Sequence, residues 1–356
     1  MEEIIHSDYI IPDEINENID LDYIIQDAIN DNNKKQEAKK QQNNNSIKQD
    51  KILASSSKSV YEGNYKKLTT EIIKKPMEWI SMNPTKTYDI LKSAKHFKNN
   101  DSGDLYAIST INHNIKAILR WIHDNYTKDK QDTLILKSIA EYKKLLMTTN
   151  IEVTKINETH KLNEKKENAA VSYKDFIETR DKLAKLNPDS QEYLLLCMYS
   201  YIPPIRQDYN NVKIYKNVLP PKHIKDNYIV MNNDDMVLFL YDFKNNEHHF
   251  YEPLKLPTEL TNIIKKNIQL IPREYLFTQK IGMPYIKKNS YTQWANRVLC
   301  KVFNKKYLTI NIIRNLMITE KTKDMTDDQK IIFAKQSCHS YKTQQLIYCK
   351  NNIPTS

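Results

Sequence analysis

Three short β-prone runs interrupt a chain whose apolar residues otherwise follow helical spacing. They are Tyr228–Met231, Met236–Phe243 and His249–Pro253. The turn-forming residues Asn232 to Asp235 separate the first two, and Lys244 to Glu247 separate the second and third. Such a pattern predicts a three-stranded antiparallel meander. The fold class expected is therefore mainly α with a small antiparallel β-sheet.

Helical patterns flank the meander on both sides. Before it, residues 61–155 read as an all-helical domain. Its clearest helix runs from Ser109 to Tyr126, with Ile111, Ile115, Ile118, Leu119 and Ile122 on one face and Ser109 or Thr110 as the cap. Another covers Thr133 to Met147. Residues 156–171 are polar, lack an apolar period and read as a linker. A second domain, 172–356, opens with the helix SYKDFIETRDKLAKL. The more apolar EYLLLCMYSYI follows and stops at Pro203-Pro204, because the residue before a proline is pushed out of the helical region. After the meander come helices at Thr258–Gln269, Tyr291–Phe303, Ile310–Glu320, Asp327–Gln336 and Tyr341–Lys350.

Residues 1–60 read as a poorly ordered tail. Residues 32–51, NNKKQEAKKQQNNNSIKQDK, hold too few apolar groups to offset chain entropy. The acidic stretch before them differs. Ile15, Ile19, Tyr23 and Ile24 fall at helical spacing among carboxylates, so it reads either as a short docking helix or as an inert acidic tail. Residues 1–31 contain ten acidic residues and no Lys or Arg. Removing those ten charges from a net +10 leaves +20 on residues 32–356. A body this basic fits a polyanion, most simply nucleic acid. The competing explanation is an AT-rich coding genome, which also accounts for abundant Lys, Asn, Ile and Tyr beside only three Gly.

No run of eighteen apolar residues occurs, so no membrane span is expected, and no signal pattern opens the chain. Cys197, Cys300, Cys338 and Cys349 lack metal-ligand spacing and read as free thiols of an intracellular protein. No metal and no cofactor is expected.

Arginine is rare, six residues against 48 lysines. Where the code prefers Lys, an Arg is favoured at sites needing a planar bidentate fork. Arg206 follows the Pro-Pro helix break, and Arg314 lies in the helical TINIIRNLMITE. Singly, each also fits an ordinary surface or helix-pairing arginine. Near the end of the chain, SCHSYKTQQLIY places a histidine nine residues before a tyrosine. Of the nine histidines, only His339 has this spacing, to Tyr348.

Taken together, the order is distinctive: Arg206 after a helix break, Lys244 at a hairpin turn, Arg314 on a helix, His339, then Tyr348. With YSYIPPIRQDY, EYLF, MPY and FAKQSCHSYKTQQLIY, it resembles the tyrosine recombinase (phage-type integrase) family over residues 172–356, and more weakly over the helical domain before them. The resemblance implies a two-domain DNA clamp, with an all-helical core-binding domain and a catalytic domain. It implies a site-specific recombinase or integrase of a mobile element or large DNA virus. Such an enzyme cleaves and rejoins DNA through a covalent 3′-phosphotyrosine, without metal or ATP.

Carried over residue by residue, Tyr348 becomes the nucleophile, and Arg206 and Arg314 the clamp on the non-bridging phosphate oxygens. His339 becomes a hydrogen-bonding partner of the same phosphate. Lys244 becomes the general acid for the leaving 5′-oxygen, with Lys255 and Lys280 as fallbacks. Partners implied are double-stranded DNA, further copies in a synaptic tetramer, and an accessory DNA-bending protein. The place of action is inside a cell where DNA is accessible, nuclear or at a cytoplasmic replication site.

Four departures stand out. Asn311 occupies the family's usual histidine position, and an amide can donate a hydrogen bond but cannot act as a charged acid or base. Cys338 replaces a glycine. The usual acidic residue three positions after the first arginine is absent, with Asp208 as the substitute. Only eight residues follow Tyr348. Two other functions fit the same residues: a type IB-like topoisomerase, and a DNA-binding relative with weakened catalysis.

Overall fold

The computed structural model describes residues 25–26, 29–30, 55–95, 104–126, 132–218, 220, 225–244, 246, 251–279 and 282–354. The candidate acidic helix at Ile15, Ile19, Tyr23 and Ile24, the polar tract 32–51 and the fallback Lys280 lie outside these residues. Contacts divide the chain into two compact units, residues 46–159 and residues 1–45 with 160–356.

The first unit is helical. It comprises α1 (Ser55–Lys67), which runs into a π-helical turn Leu68–Ile72, then α2 (Met77–Met82), α3 (Pro84–Ser93), α4 (Ile108–Tyr126) and α5 (Thr133–Glu158). Helix α1 starts inside the stretch read as a disordered tail. Pro76 precedes α2 and Pro84 opens α3, where a missing N–H costs nothing. Asp132 caps α5 by accepting from the Leu134 and Ile135 amides. The core gathers Leu68, Ile80 and Leu91 with the predicted stripe Ile111, Ile115, Ile118 and Ile122 of α4. Asn112 donates to Thr149 Oγ1 at 2.8 Å and to Asn150 Oδ1 at 2.9 Å, tying α4 to the part of α5 beyond its expected end.

The segment read as a linker belongs largely to the second unit. It contains α6 (Glu164–Ala169), capped by Asn163, and Leu162, Ala169, Ala170 and Val171 are buried in that unit's core. Four small or apolar residues are too few to show a period, so the polar majority hid them. Then follow α7 (Tyr173–Leu186), capped by Ser172, and α8 (Gln191–Tyr201), capped by Ser190 and buried from Tyr193 to Ser200.

The sheet has four strands in the order β1-β2-β3-β4: β1 (Lys213–Lys216), β2 (Tyr228–Met231), β3 (Met236–Phe239) and β4 (Leu254–Lys255). It is mixed rather than purely antiparallel, because β1 pairs parallel to β2 while the other pairs are antiparallel. The run KIYK is too short and too polar to announce a strand. Parallel pairing also needs a crossover of roughly a dozen residues, here 217–227. Of the third expected strand, His249–Pro253, the described residues Tyr251–Pro253 are not in a strand. Its first two residues lie outside the described set, and pairing begins after Pro253, which has no N–H to give a ladder.

Alternation along the strands separates two faces. Ile229, Met236 and Leu238 enter the main core, whereas Tyr228, Val230, Val237 and Phe239 form a separate cluster with Tyr215, Tyr241 and Ile25. After the sheet come α9 (Thr258–Leu270), α10 (Lys288–Val302), α11 (Ile310–Lys321), α12 (Asp327–Gln336) and α13 (Tyr341–Thr343). Helix α13 passes into a π-helical turn, Gln344–Tyr348, so the helix expected to Lys350 changes pitch after three residues and ends at Tyr348.

Candidate active site

The Pro203-Pro204 break does two things. It stops α8, and it leaves the Pro204 carbonyl free of helical bonding. That carbonyl accepts from Arg314 Nε at 3.1 Å. Two residues later Arg206 leaves the turn, its own carbonyl held by the Tyr199 hydroxyl at 2.8 Å.

Arg314 lies in the middle of α11 and is fully buried. Its Nη2 donates to the Ser337 carbonyl at 3.1 Å and its Nη1 to the Tyr348 hydroxyl oxygen at 2.6 Å. The guanidinium also stacks over the Tyr348 ring, 4.4 Å from the centroid. Arg206 adds Nε at 3.1 Å and Nη2 at 3.0 Å to the same oxygen. Among the described residues no carboxylate forms an ion pair with either guanidinium. Burial lowers the pKa of Arg314, and nearby Arg206 lowers it further, while Tyr348 opposes both.

Three cationic donors therefore meet one phenolic oxygen that offers two lone pairs. Two guanidiniums without a directly paired carboxylate, one of them buried, are costly unless an anion shares the space. The geometry is that of an oxyanion site whose occupant in the free protein is a tyrosine hydroxyl.

His339 sits beside it, with ring centroids 4.8 Å from Tyr348. Its Nδ1 lies 2.9 Å from the Ser337 carbonyl, an acceptor only, so Nδ1 carries the proton. Nε2 is buried beside the Gln344 side chain, which helps hold a proton on the ring. Burial depresses the pKa of the ring to about 4, the Ser337 bond opposes this, and Arg314 and Arg206 depress it further. Cys338, between these two residues, has φ +58°, in the left-handed region that costs an ordinary residue roughly 1–2 kcal/mol. This is the position where the resemblance expects glycine. The strained turn aims the Ser337 carbonyl at Arg314 and His339 together.

The tyrosine segment is pinned to α11 from one side. Asn315 donates to the Ile347 carbonyl at 3.2 Å and Thr319 to the Tyr348 carbonyl at 3.2 Å. Beyond it, Asn351 N donates to the His160 carbonyl at 2.7 Å, and Asn352 exchanges two hydrogen bonds with the Leu162 backbone. Asn351 and Asn352 are thus tied to the segment 160–162.

The other expected site residues are not brought into this cluster. Lys244 is exposed in the turn after β3, and Asn311 is exposed on the first turn of α11; neither hydrogen-bonds to the four. Lys255 pairs with Asp235 at 2.7 Å. Asp208 is buried, and its carboxyl meets Lys288 at 3.2 Å. Burial raises the pKa of Asp208, and Lys288 counters the shift. No signal in the sequence distinguished Lys288, Asn315 or Thr319 from dozens of similar residues. Among the described residues no three His, Cys, Asp or Glu side chains gather into a metal-holding group.

No protein-family model and no curated protein matches the chain. Among solved structures, the chain is similar to the crystal structure of XerA recombinase. The identity is 12% and the TM-score 0.36, over 84% of this chain and 89% of that one. At such a score the likeness carries no weight for the site or its chemistry.

Proposed function

We propose that the chain is a DNA breaking-rejoining enzyme of the tyrosine recombinase kind, acting through Tyr348. The observation that carries this reading is the convergence of Arg206 and Arg314 on the Tyr348 hydroxyl, with His339 against the same ring. A phosphodiester entering the site offers two non-bridging oxygens to donors that now share one phenol oxygen. The phenol oxygen, displaced but adjacent, is then placed to attack phosphorus.

In the step itself the Oη–P bond forms and the P–O5′ bond breaks. The bond's electron pair leaves on the 5′-oxygen, and Lys244 is the proposed source of its proton. Charge develops on the non-bridging oxygens, where preorganised cationic donors act most strongly. His339, packed against the Tyr348 ring, is the proposed hydrogen-bonding partner of the same phosphate. The covalent 3′-phosphotyrosine keeps the phosphodiester energy, so rejoining needs no ATP. Duplex DNA is the proposed partner, inside a cell, and exchange between two sites requires a synaptic tetramer.

A second reading is favoured by the exposure of Lys244 and Asn311, neither of which hydrogen-bonds to the cluster. It keeps DNA binding and the phosphate-holding arginines but has weak turnover. Nicked suicide substrates carrying candidate sites separate the two readings. The leading reading expects a covalent protein–DNA adduct on a denaturing gel that vanishes in Tyr348→Phe. Binding without any adduct supports the second. An adduct that survives the substitution, or maps to Tyr341, overturns Tyr348 as nucleophile; Tyr341 donates instead to Asp327 at 3.1 Å.

A further inference from the structure

Lys244 is exposed, yet the described residues beside it are held in place. Asn246 closes the turn by donating to the Tyr241 carbonyl at 2.7 Å, and Phe243 between them is buried. At the start of this turn, Asp242 is anchored twice. Buried Asn227 accepts from the Tyr241 and Asp242 amides, both at 2.8 Å, and donates to the Asp242 carbonyl at 3.0 Å. Lys288 Nζ meets the Asp242 carboxylate at 3.0 Å and its carbonyl at 3.1 Å.

Both anchors share a second end. Asn227 donates to the Asp208 carbonyl at 2.9 Å, and Lys288 Nζ meets the Asp208 carboxylate at 3.2 Å. Asp208 stands two residues after Arg206, and Asp242 two residues before Lys244. Surface ion pairs alone do little, but here one partner is buried and a neutral amide doubles the link. We propose that Lys288, with Asn227, is a positioning residue. It holds the turn bearing Lys244 in register with the segment bearing Arg206, so that the proton donor faces the leaving oxygen of a phosphate held by the arginines. This rests on the functional reading above.

The charge state suits the role. Burial opposes the Lys288 cation, but Asp208 and Asp242 outweigh it and raise its pKa above the ordinary lysine value. Lys288 is therefore held as a cation, as an ion-pair bridge between the two carboxylates requires.

The test uses the full chain and two suicide substrates, one ordinary and one with sulfur replacing the bridging 5′-oxygen. On the ordinary substrate the 5′-oxygen must gain a proton as P–O breaks; on the other, a thiolate leaves without one. A positioned acid is worth about 10²–10⁴-fold, so Lys288→Met is expected to slow ordinary cleavage by about 10- to 100-fold and thiolate-releasing cleavage by less than about threefold. In a Lys244→Met background, Lys288→Met is expected to add nothing further, because both act on one step. Should Lys288→Met fold poorly, Asp242→Asn at the exposed end of the link is expected to show the same substrate dependence in weaker form.

Equal losses on both substrates, or additive losses with Lys244→Met, overturn the positioning role and leave the functional reading intact. Failure of the wild-type chain to form an adduct with either substrate overturns both.

Discussion

Two halves of the candidate site differ in how they are built. Arg206, Arg314, His339 and Tyr348 are interlocked: one oxygen receives three donors, and Arg314 alone reaches three different segments. Lys244 and Asn311 stand in the open, with the Lys244 turn fastened from behind by Asn227 and Lys288. The groups that would stabilise charge are preorganised in the protein interior, where electrostatic interactions are strongest. The group that would deliver a proton sits on the surface, on a turn fastened to the segment bearing Arg206.

The sharpest way to break this comparison is Arg314→Lys. It keeps the charge but cannot reach the Pro204 carbonyl, the Ser337 carbonyl and the Tyr348 oxygen at once. Adduct formation is expected to fall about 10²–10³-fold, with DNA affinity changed only slightly. Equal loss of affinity, measured by titration at fixed salt, would make Arg314 a structural residue.

The buried half should also carry a pH signature that the exposed half lacks. The folded pKa of His339 is about 4 against an ordinary 6.5, so the native state favours the neutral ring. Its contribution to stability is full above pH 6.5 and is lost as pH falls toward 4, a swing of about 3 kcal/mol. Asp208, whose carboxyl is pushed up by burial, acts in the opposite sense, so the measurement compares variants. Urea unfolding across this window is expected to show a shallower pH dependence in His339→Asn, by about one proton. An unchanged slope would mean the ring is not buried neutral.

The smallest expected effect is at Asn311. As an exposed residue with no hydrogen bond to the cluster, its replacement by Ala is expected to change cleavage by less than about threefold, far below the loss from removing a charge-stabilising donor. A loss on the scale of Arg314→Lys would show that Asn311 joins the site once DNA is bound.

Much of the helical frame was legible. The isoleucine stripe of α4 is a local signal, readable from periodicity, but the cap expected at Ser109 or Thr110 is not one: the helix begins at Ile108, so both residues lie inside its first turn. The parallel strand β1 was not, because KIYK acquires meaning only from a neighbour twelve or more residues away. Leu162 and Val171 were hidden in the same way within a polar stretch. Within the site, order and spacing singled out Arg206, Arg314, His339 and Tyr348, and the structure brings these four together. The same reasoning placed Lys244 and Asn311 beside them, and there the structure leaves both exposed. The links through Asn227 and Lys288 join residues 14 to 80 positions apart and left no trace in local pattern.

What the sequence determined by itself was therefore the inventory: the helices, the Pro-Pro break, the rare arginines and the His339–Tyr348 interval. These follow from short-range sterics, hydrogen bonding and periodicity, which act within a few residues. Tertiary structure decided which of those groups meet. It buried Arg314 without a carboxylate, set three donors on one phenol oxygen, left the proton of His339 on Nδ1, and bent Cys338 into a conformation that no local preference favours. Each depends on long-range packing, where the cost of desolvating a charge is offset only by partners that distant segments bring.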